Sequence, residues 1–291
     1  MNTFVQLSVN GIGKGAVFAL LALGFVVIFK ATEVVNFAHG SFVMFGGYLV
    51  AATRDTLGWA GAAALGIVCA GLLALALERL LSRSRHADPF SLALLTIGAD
   101  VVITEEIVRR IGVSVPFIGD GWDGHPVTVG GITLFRTHLV ALAVATVLIG
   151  AFFLAFRYST WGIRIRAQAE NREAAALAGI RSSHVTAVAW LVAGALAGVA
   201  VLFIATQDFS GAGLSRGTHS IALAAFPAAI LGGLDSTAGA VVGGLTVGLV
   251  DALSAHYISF TFAKSAVFLV MLVVLVIRPA GLFGTRETVR V

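Results

Sequence analysis

The sequence has one cysteine, Cys69, which lies inside an apolar run. An intrachain disulfide is therefore impossible and a thiol-based metal site is not credible, so we interpret Cys69 as a small core residue. The histidines lack the H-E-x-x-H spacing of zinc enzymes, and the G-x-S-x-G nucleophile motif is missing as well. These absences argue against a catalytic or metal centre in this chain.

Charged residues make up only 12% of the 291 residues, and five prolines accompany 34 glycines. The glycines lie inside apolar runs, which excludes a collagen-like or linker-like chain and is typical of close packing between membrane helices. The hydrophobic share is 58% and the mean hydropathy is +0.97. This composition predicts an all-α polytopic membrane protein.

The N-terminus lacks a basic region followed by a short apolar core and a cleavage site, so we expect no removable signal peptide. Crossing about 30 Å of hydrocarbon takes about 20 mostly apolar residues. Runs of this kind predict about eight to nine transmembrane or re-entrant helices in a single domain over residues 1–291. Their approximate limits are 11–29, 37–53, 58–78, 90–108, 138–156, 184–206, 219–233, 236–255 and 263–278.

Basic residues near the ends of spans stay on the cytoplasmic side of a membrane. With the N-terminus outside, the inner side receives Lys30, Arg79, Arg83, Arg85, Arg157, Arg164, Arg166, Arg172, Arg181, Arg278, Arg286 and Arg290. The outer side receives the smaller set Lys14, Arg54, Arg109, Arg110, Arg136, Arg216 and Lys264. This asymmetry predicts an N-out, C-in topology. It also explains the net charge of +4 without a nucleic-acid partner.

In this topology, segments one to four and six to nine run in opposite senses around the fifth, which predicts an inverted repeat like those of many transporters. Interrupted segments occupy matching positions in the two halves. The second contains NFAHG and Gly46-Gly47, and the seventh contains Pro227 and Gly232-Gly233. We expect both to be broken or re-entrant helices.

Residues 34 to 48, VVNFAHGSFVMFGGY, place polar groups in an apolar segment. An unpaired amide or imidazole in hydrocarbon costs on the order of several kcal/mol, so Asn36 and His39 must face protein, water or a ligand. Three residues apart, they share one face if the stretch is helical. Neutral groups of this kind suit a polar or zwitterionic solute that must be released again. In the structural alternative, Asn36 caps the helix and His39 bonds a neighbouring carbonyl.

In the fourth segment, Thr96 and Asp100 lie one helical turn apart. An intramembrane carboxylate is a candidate for function, so we place both with Asn36 and His39 on a candidate substrate path. The alternative is a hydrogen-bonded latch between helices. Farther out we expect a solvated rim, formed by Glu105, Glu106, Arg109 and Arg110, and a vestibule or external protein contact, formed by Gln207, Asp208, His219, Asp251 and His256.

Two segments carry glycines at G-x-x-x-G spacing, which marks close helix crossings. The six residues that we interpret as helix-packing residues are Gly194 and Gly198 in the sixth segment and Gly239, Gly243, Gly244 and Gly248 in the eighth. The spacing leaves open whether these crossings lie within one chain or between two.

The longest interruption on the predicted inner side contains FRYSTWGIRIRAQAENREAAALAGIRSSHV. Its alanine-rich part predicts a short helix from Gln168 to Ala178 that ends at Gly179. Roughly helical spacing relates the apolar positions Ile163, Ala167, Ala174 and Leu177. The segment is either an amphipathic helix that rests on anionic lipid or a docking helix for another protein.

Several stretches resemble one known family. Glu173-Ala174-Ala175 followed by Gly179 resembles the EAA loop by which permeases of ATP-binding-cassette (ABC) importers engage their ATPase subunits. GAVFALLALGFVVIFKATEVVNFAHGSFVMFGGY is similar to the N-terminal signature of LivH-type permeases of branched-chain amino acid importers, and WGIRIRAQAENREAAALAGI resembles their coupling region. LALLTIGADVVI and IRPAGLFG are similar to the fourth segment and C-terminal end of that family.

The resemblance implies a single transmembrane permease domain in the bacterial inner membrane, with a cytoplasmic coupling loop at 157–183. The implied ATPase-coupling residues are Arg166, Glu170, Glu173, Ala174, Ala175 and Gly179. The implied partners are a LivM-like permease or a second copy, two cytoplasmic ATPases (LivG/LivF-like) that bind ATP and Mg²⁺, an extracytoplasmic solute-binding protein and membrane lipid. The chain has no G-x-x-x-x-G-K-[ST] phosphate loop, so we expect no cofactor, metal or enzymatic activity of its own.

A branched-chain amino acid is the solute that the resemblance implies. Asp100, Glu105 and Glu106 are more polar than expected for a leucine or isoleucine path. Urea, short amides and aromatic or carboxylic compounds therefore stay open as solutes. An ion-coupled secondary transporter, a gated channel and a membrane enzyme are the alternatives from other classes.

Overall fold

The computed structural model describes residues 2–83, 88–113, 115–119, 121–122, 125–210 and 213–285. Over these ranges the chain is almost entirely helical, which confirms the predicted all-α class. The helices are α1 (Asn2–Thr32), α2 (His39–Leu81), α3 (Pro89–Ile111), α4 (Arg136–Tyr158), α5 (Thr160–Glu170), α6 (Arg172–Leu177), α7 (Ser182–Ile204), α8 (Gln207–Ser210), α9 (Arg216–Leu223), α10 (Ala225–Gly232), α11 (Thr237–Tyr257) and α12 (Phe260–Ile277).

Six helices in the described part of the chain are long and apolar enough to cross a membrane. They are α1, α2, α4, α7, α11 and α12. α1 is the central one: most of its side chains from Ala16 to Ile28 are fully buried against other helices. α4 and α12 are mostly exposed along their apolar windows, which is the burial expected of helices that face lipid or another subunit.

α2 consists of two antiparallel helices. Gly58 interrupts it with φ 69° and ψ 167°, a conformation that glycine adopts readily. Gly46 and Gly66 would be about 30 Å apart along a straight helix, yet a methyl group built on Gly66 would lie 2.7 Å from the carbonyl oxygen of Gly46. The chain therefore reverses at Gly58, and the predicted segments 37–53 and 58–78 are the two arms of this hairpin.

The two segments predicted to be broken behave differently. The seventh is broken as expected, since α9 ends at Leu223 and α10 begins at Ala225. For the second, the prediction was wrong in place: residues 34–38 are non-helical, but the helix then runs unbroken through Gly46 and Gly47. These glycines allow close approach instead, because a methyl group on Gly46 would lie 3.3 Å from the Cα of Gly198.

The helix ends lie on two opposite faces of the molecule, and hydrogen bonds show which ends lie together. On one face, Lys30 Nζ donates to the Asp235 carbonyl at 2.9 Å, which joins the end of α1 to the start of α11. We call it the basic face, because the helix ends and loops gathered there carry Lys30, Arg79, Arg83, Arg157, Arg164, Arg166, Arg172, Arg181 and Arg278. Arg85, Arg286 and Arg290 lie outside the described residues. On the opposite face, the side chain of Arg54 donates to the carbonyls of Phe117 and Ile118, both at 3.1 Å.

Two glycine seams hold the helices together. In the first, α1 packs on α11, and methyl groups on Gly244 or Gly248 would collide with the backbone of Ala19 or Gly15. In the second, α7 packs on the second arm of α2. A methyl group on Gly198 would lie 2.7 Å from the Cα of Ile67, and one on Gly194 would lie 2.5 Å from the carbonyl of Ala70. Both seams lie within one chain.

The two seams join corresponding segments of the two halves. If segments one to four correspond to segments six to nine, α1 corresponds to α7, and the second arm of α2 corresponds to α11. The contact between α1 and α11 then corresponds to the contact between α7 and the second arm of α2. The same correspondence relates the α2 hairpin to α10 and α11, which meet where Gly239 touches Gly232 and Gly243 touches Ala228. The main packing pairs therefore correspond between the two halves, and the inversion of one half relative to the other stays a prediction.

A short antiparallel hairpin joins α3 to α4 and was missing from the sequence prediction. Its strands are β1 (Val127–Val129) and β2 (Ile132–Leu134). Gly130 and Gly131 form the turn with φ of 58° and 78°, as a two-residue hairpin turn requires. The sequence does contain the pattern typical of a hairpin, because Gly130-Gly131 lies between two short runs rich in β-branched residues.

The first glycine seam can be tested with Gly244→Ala. The added methyl group has no room beside the α1 backbone, so we expect the free energy of unfolding to fall by about 1–3 kcal/mol, the usual effect of overpacking. Thermal melting in detergent measures it. Gly150→Ala on α4 is the matched control, because nothing lies within 4 Å of its new methyl group. It should keep or slightly raise the melting temperature; equal melting of both variants would contradict the seam.

Candidate functional site

Side chains of α3 hold the entry to α2. The first N–H groups of a helix have no partner within the helix. Here the Phe37 N–H donates to Thr96 Oγ1 and the Ser41 N–H donates to Asp100 Oδ1, both at 3.0 Å. Asn36 Oδ1 accepts from the Ala38 N–H at 3.0 Å. Because α3 supplies two of these three acceptors, its position is fixed against the non-helical residues 34–38.

A hydrogen-bonding contact extends this cluster to α9, the first helix of the broken seventh segment. His219 Nε2 lies 2.9 Å from Asp100 Oδ2 and 3.1 Å from Oδ1. Nearer the opposite face, Arg216 on α9 pairs with Glu105 on α3. The structure therefore brings His219, which the sequence analysis assigned to a vestibule, into contact with the predicted path residues.

The histidine of the second segment sits in an aromatic cage. The His39 ring is fully buried, with its centroid 4.5 Å from that of Phe25 and 6.0 Å from that of Phe42. Its two ring nitrogens and Asn36 Nδ2 have no hydrogen-bond partner among the described residues. Buried polar atoms without partners are uncommon and call for an explanation.

The four predicted path residues thus lie in the same region of the structure, but their contacts differ. Thr96 and Asp100 make the contacts of the latch alternative, and Asn36 Oδ1 makes those of a cap. The unpartnered atoms of Asn36 and His39 fit neither of these structural alternatives, and their place on a substrate path stays a prediction.

The predicted coupling segment is built from two helices, so the expectation of one helix from Gln168 to Ala178 was wrong. Asn171 separates α5 from α6 with an extended backbone, φ −156° and ψ 107°. Its side chain accepts from the Ala174 N–H at 2.9 Å and so caps α6. Asparagine suits caps and turns better than helix interiors, which explains the break.

Gly179 ends α6 as the sequence analysis expected. Its φ is 81°, and the Gly179 N–H donates to the Ala176 carbonyl while the Ile180 N–H donates to the Ala175 carbonyl, both at 3.0 Å. This pair of hydrogen bonds is the Schellman motif, in which glycine is strongly favoured. The chain leaves the helix sharply there and enters α7.

The predicted coupling residues divide into exposed and internal ones. The exposed ones are Glu170, Glu173, Ala174 and Gly179, while Ala175 is buried. Arg166 faces inward, donating to the carbonyls of Phe156 and Arg157 at the end of α4. The most exposed apolar side chain of the segment is Leu177 on α6, at 92%.

Sequence reasoning missed two residues that fix the segment to the membrane helices. Gln168 is buried and donates from Nε2 to the Ala31 carbonyl at 2.7 Å, and Trp161 Nε1 donates to the Val185 carbonyl at 3.3 Å. α5 is therefore tied to the ends of α1 and α7. Both partners are backbone carbonyls distant in sequence, so no local pattern marked these contacts.

The rim and vestibule residues lie near the opposite face. Glu106 pairs with both Arg109 and Arg110, at 2.8 and 2.7 Å, on an exposed surface, as the rim interpretation expected. Asp208 accepts from Thr137 Oγ1 at 3.1 Å. Lys14 and Asp251 lie 3.5 Å apart and join α1 to α11.

Comparisons with known proteins decide the family. Residues 7–276 match the family described as "Branched-chain amino acid transport system / permease component". The chain belongs to this family. It is accordingly a multi-pass permease of the bacterial inner membrane, which fits its apolar helices and confirms the family that the sequence motifs indicated.

Named relatives cover nearly the whole chain. The "High-affinity branched-chain amino acid transport system permease protein LivH" of Escherichia coli K12 is 31% identical over 306 residues, 99% of this chain and 98% of that protein. BraD of Pseudomonas aeruginosa, which is also described as a high-affinity branched-chain amino acid transport system permease protein, is 26% identical over 99% of this chain and 98% of that protein. The "Probable branched-chain amino acid transport permease protein LivH" of Methanocaldococcus jannaschii is 28% identical over 91% of this chain and 88% of that one. No solved structure matches.

The attachment of α3 to α2 can be tested with Asp100→Ala. This change leaves the buried Ser41 N–H and His219 without their partner, so the free energy of unfolding should fall by about 1–3 kcal/mol. Glu106→Ala removes an exposed carboxylate from the same helix and should lower it much less, because exposed ion pairs contribute little to stability. Thermal melting of both variants measures the difference, and equal effects would argue against the capping role.

Proposed function

We propose that this chain is the membrane-spanning subunit of an ABC importer for branched-chain amino acids. The observation that supports it most is the family match over residues 7–276, together with the descriptions of the relatives as branched-chain amino acid permeases. In this proposal an extracytoplasmic binding protein delivers the solute, and two cytoplasmic ATPase subunits bind the ATP and Mg²⁺. A second, LivM-like permease or a second copy of this chain completes the path through the membrane.

The basic face is the cytoplasmic one in this proposal. It holds the larger share of the described basic residues, as the positive-inside rule expects. Residues 157–183, with α5 and α6, then form the cytoplasmic coupling loop. The N-terminus of α1 lies on the opposite face, which makes the chain N-out and C-in.

α6 is the docking helix for the ATPase. It presents Leu177 and the carboxylate of Glu173 to solvent, and a large apolar side chain that is almost fully exposed suits a partner's groove better than water. Behind it, Gln168, Trp161 and Arg166 bind carbonyls of three membrane helices. A push on α6 would therefore reach α1, α4 and α7 together.

The solute passes the α2 entry in this mechanism. Closure of the ATPase dimer moves the coupling loop, and the two halves rock against each other. α3 and α9 hold the cluster of Asn36, His39, Thr96 and Asp100 and would carry it from one arrangement to another. The unpartnered atoms of Asn36 and His39 would then meet the zwitterionic solute for part of the cycle.

Transport of L-leucine into proteoliposomes tests the proposal. The complete importer should accumulate L-leucine only with its binding protein outside and ATP at the ATPases. Accumulation by the purified chain alone, or accumulation without ATP, would indicate a secondary transporter or a channel and sink the proposal. Uptake of urea or a short amide with no uptake of leucine would keep the ABC permease and replace its solute.

Docking through α6 predicts the effect of Leu177→Asp. Burying a leucine side chain contributes about 1.5–3 kcal/mol, so its loss should weaken retention of the ATPase subunits at least tenfold. Because Leu177 is exposed in this chain, the variant should insert and melt like the wild type. Co-purification in mild detergent measures the retained ATPase.

Gly179→Asn is the matched variant in the same loop, because the part that Gly179 plays in coupling lies in its left-handed backbone and not in a side-chain contact. Asparagine tolerates that conformation, and no other atom lies within 4 Å of a Cβ placed there. This variant should retain the ATPases. If Leu177→Asp retains them equally well, α6 is not the docking helix.

A further inference from the structure

A cavity of about 620 Å³ opens on the basic face, beside the coupling segment. It lies where α1 and α2 end and where α3 and α7 begin, and α6 contributes its first residue. Its size falls within the range of small-molecule sites. The lining residues used below are Glu33, Val34, Glu78, Leu81, Leu92, Arg172, Arg181, Thr186 and Trp190.

The floor of the cavity carries two buried polar groups that lack a full set of partners. Glu78 is 4% exposed, and its Oε1 accepts from Thr186 Oγ1 at 2.8 Å. Its Oε2 accepts no hydrogen bond from the described residues, and Arg79 Nε lies 3.7 Å away. Trp190 is 1% exposed, and its Nε1–H has no acceptor there. A ligand that reached these two atoms would donate to Glu78 and accept from Trp190.

The rim adds charges of both signs. Arg172 and Arg181 are exposed cations at the start of α6 and just before α7, and Glu33 is an exposed carboxylate just after α1. Glu33 has a φ of 59°, the only positive value among the described residues other than glycine. A left-handed residue after a helix is usually glycine, so placing a carboxylate there goes against local preference and indicates a function for it.

Aliphatic side chains form the rest of the wall used here. Val34 and Leu81 are buried and Leu92 is half-buried. The cavity thus offers a buried anion, cations at its mouth and an apolar surface between them. A ligand with only an amine would pair with the carboxylates and leave the arginines without a partner from the ligand. A ligand with only a carboxylate would pair with the arginines and leave the carboxylates without one. A zwitterion with an aliphatic side chain satisfies all three.

We propose that this cavity binds a free α-amino acid with an aliphatic side chain, whose ammonium group donates to Glu78 and whose carboxylate meets Arg181 and the Trp190 Nε1–H. The amino acid is reached from the basic face and is held apart from the cluster of Asn36 and His39. The choice of an aliphatic amino acid rests on the proposed function; the demand for opposite charges comes from the cavity itself.

Direct binding of radiolabelled L-leucine tests the site. The permease complex with its ATPases, without the solute-binding protein, is placed in nanodiscs, and saturable binding is expected. Glu78→Gln and Arg181→Gln should each weaken binding at least tenfold. Arg164→Gln removes an exposed cation of α5 outside the cavity lining and should leave binding unchanged. Neither 4-methylpentanoate nor 3-methylbutylamine, which each lack one charge, should displace the leucine.

The outcomes separate this inference from the proposed function. No saturable binding to the wild type overturns the inference, and so does binding that Arg181→Gln leaves unchanged, because leucine would then sit elsewhere. Arg181 lies on the exposed rim, so its variant remains informative even if Glu78→Gln fails to fold. Leucine uptake is measured on the same complex with the binding protein added. Normal uptake without cavity binding leaves the proposed function intact, and cavity binding without uptake overturns the solute assignment alone.

Discussion

Backbone polar groups inside a membrane must be satisfied by the protein itself, and the rest of this structure depends on how residues 34–38 meet that demand. This non-helical stretch lies between two membrane helices, where its N–H groups would otherwise lack partners. Asn36 accepts from the Ala38 N–H locally, and Thr96 reaches across from α3 to accept from the Phe37 N–H. Asp100 accepts in the same way from the Ser41 N–H in the first turn of α2. The polar residues that first looked misplaced are therefore what allows α2 to begin inside the protein.

The same residues tie function to architecture. Asp100 accepts from α2 and pairs with His219 on α9, so one carboxylate joins three elements from both halves of the chain. α9 belongs to the broken seventh segment, in which two short helices, α9 and α10, replace one continuous helix. A rearrangement of α9 therefore reaches the α2 entry directly, without passing through the glycine seams.

Much of the fold could be predicted because the bilayer imposes a length on every apolar run. Each predicted segment overlaps a helix, an arm of α2 or, for the seventh, the two short helices α9 and α10. Local chemistry also explained the glycine at the end of α6. The errors came where two signals competed: alanines favoured one coupling helix, while Asn171, a better cap than helix interior, divides it.

The site was predictable in its residues but not in its contacts. Intramembrane polarity marked Asn36, His39, Thr96 and Asp100, because each would be costly if left exposed to lipid. Nothing local showed that Asp100 would meet His219, which lies 119 positions away, or that Gln168 would bind the end of α1. Glu78 was not predicted as a site residue, because a carboxylate at the end of an apolar run is typical of the membrane interface. Its burial against Thr186 depends on the fold.

The glycine seams have a mechanical consequence. Where α1 meets α11, and where α7 meets the second arm of α2, the glycines bring one helix backbone directly against the other. Such surfaces resist separation, since any gap forfeits dispersion contacts along their length, yet they offer little obstruction to sliding. Paired helices of this kind can shear lengthwise as stiff rods while staying in contact.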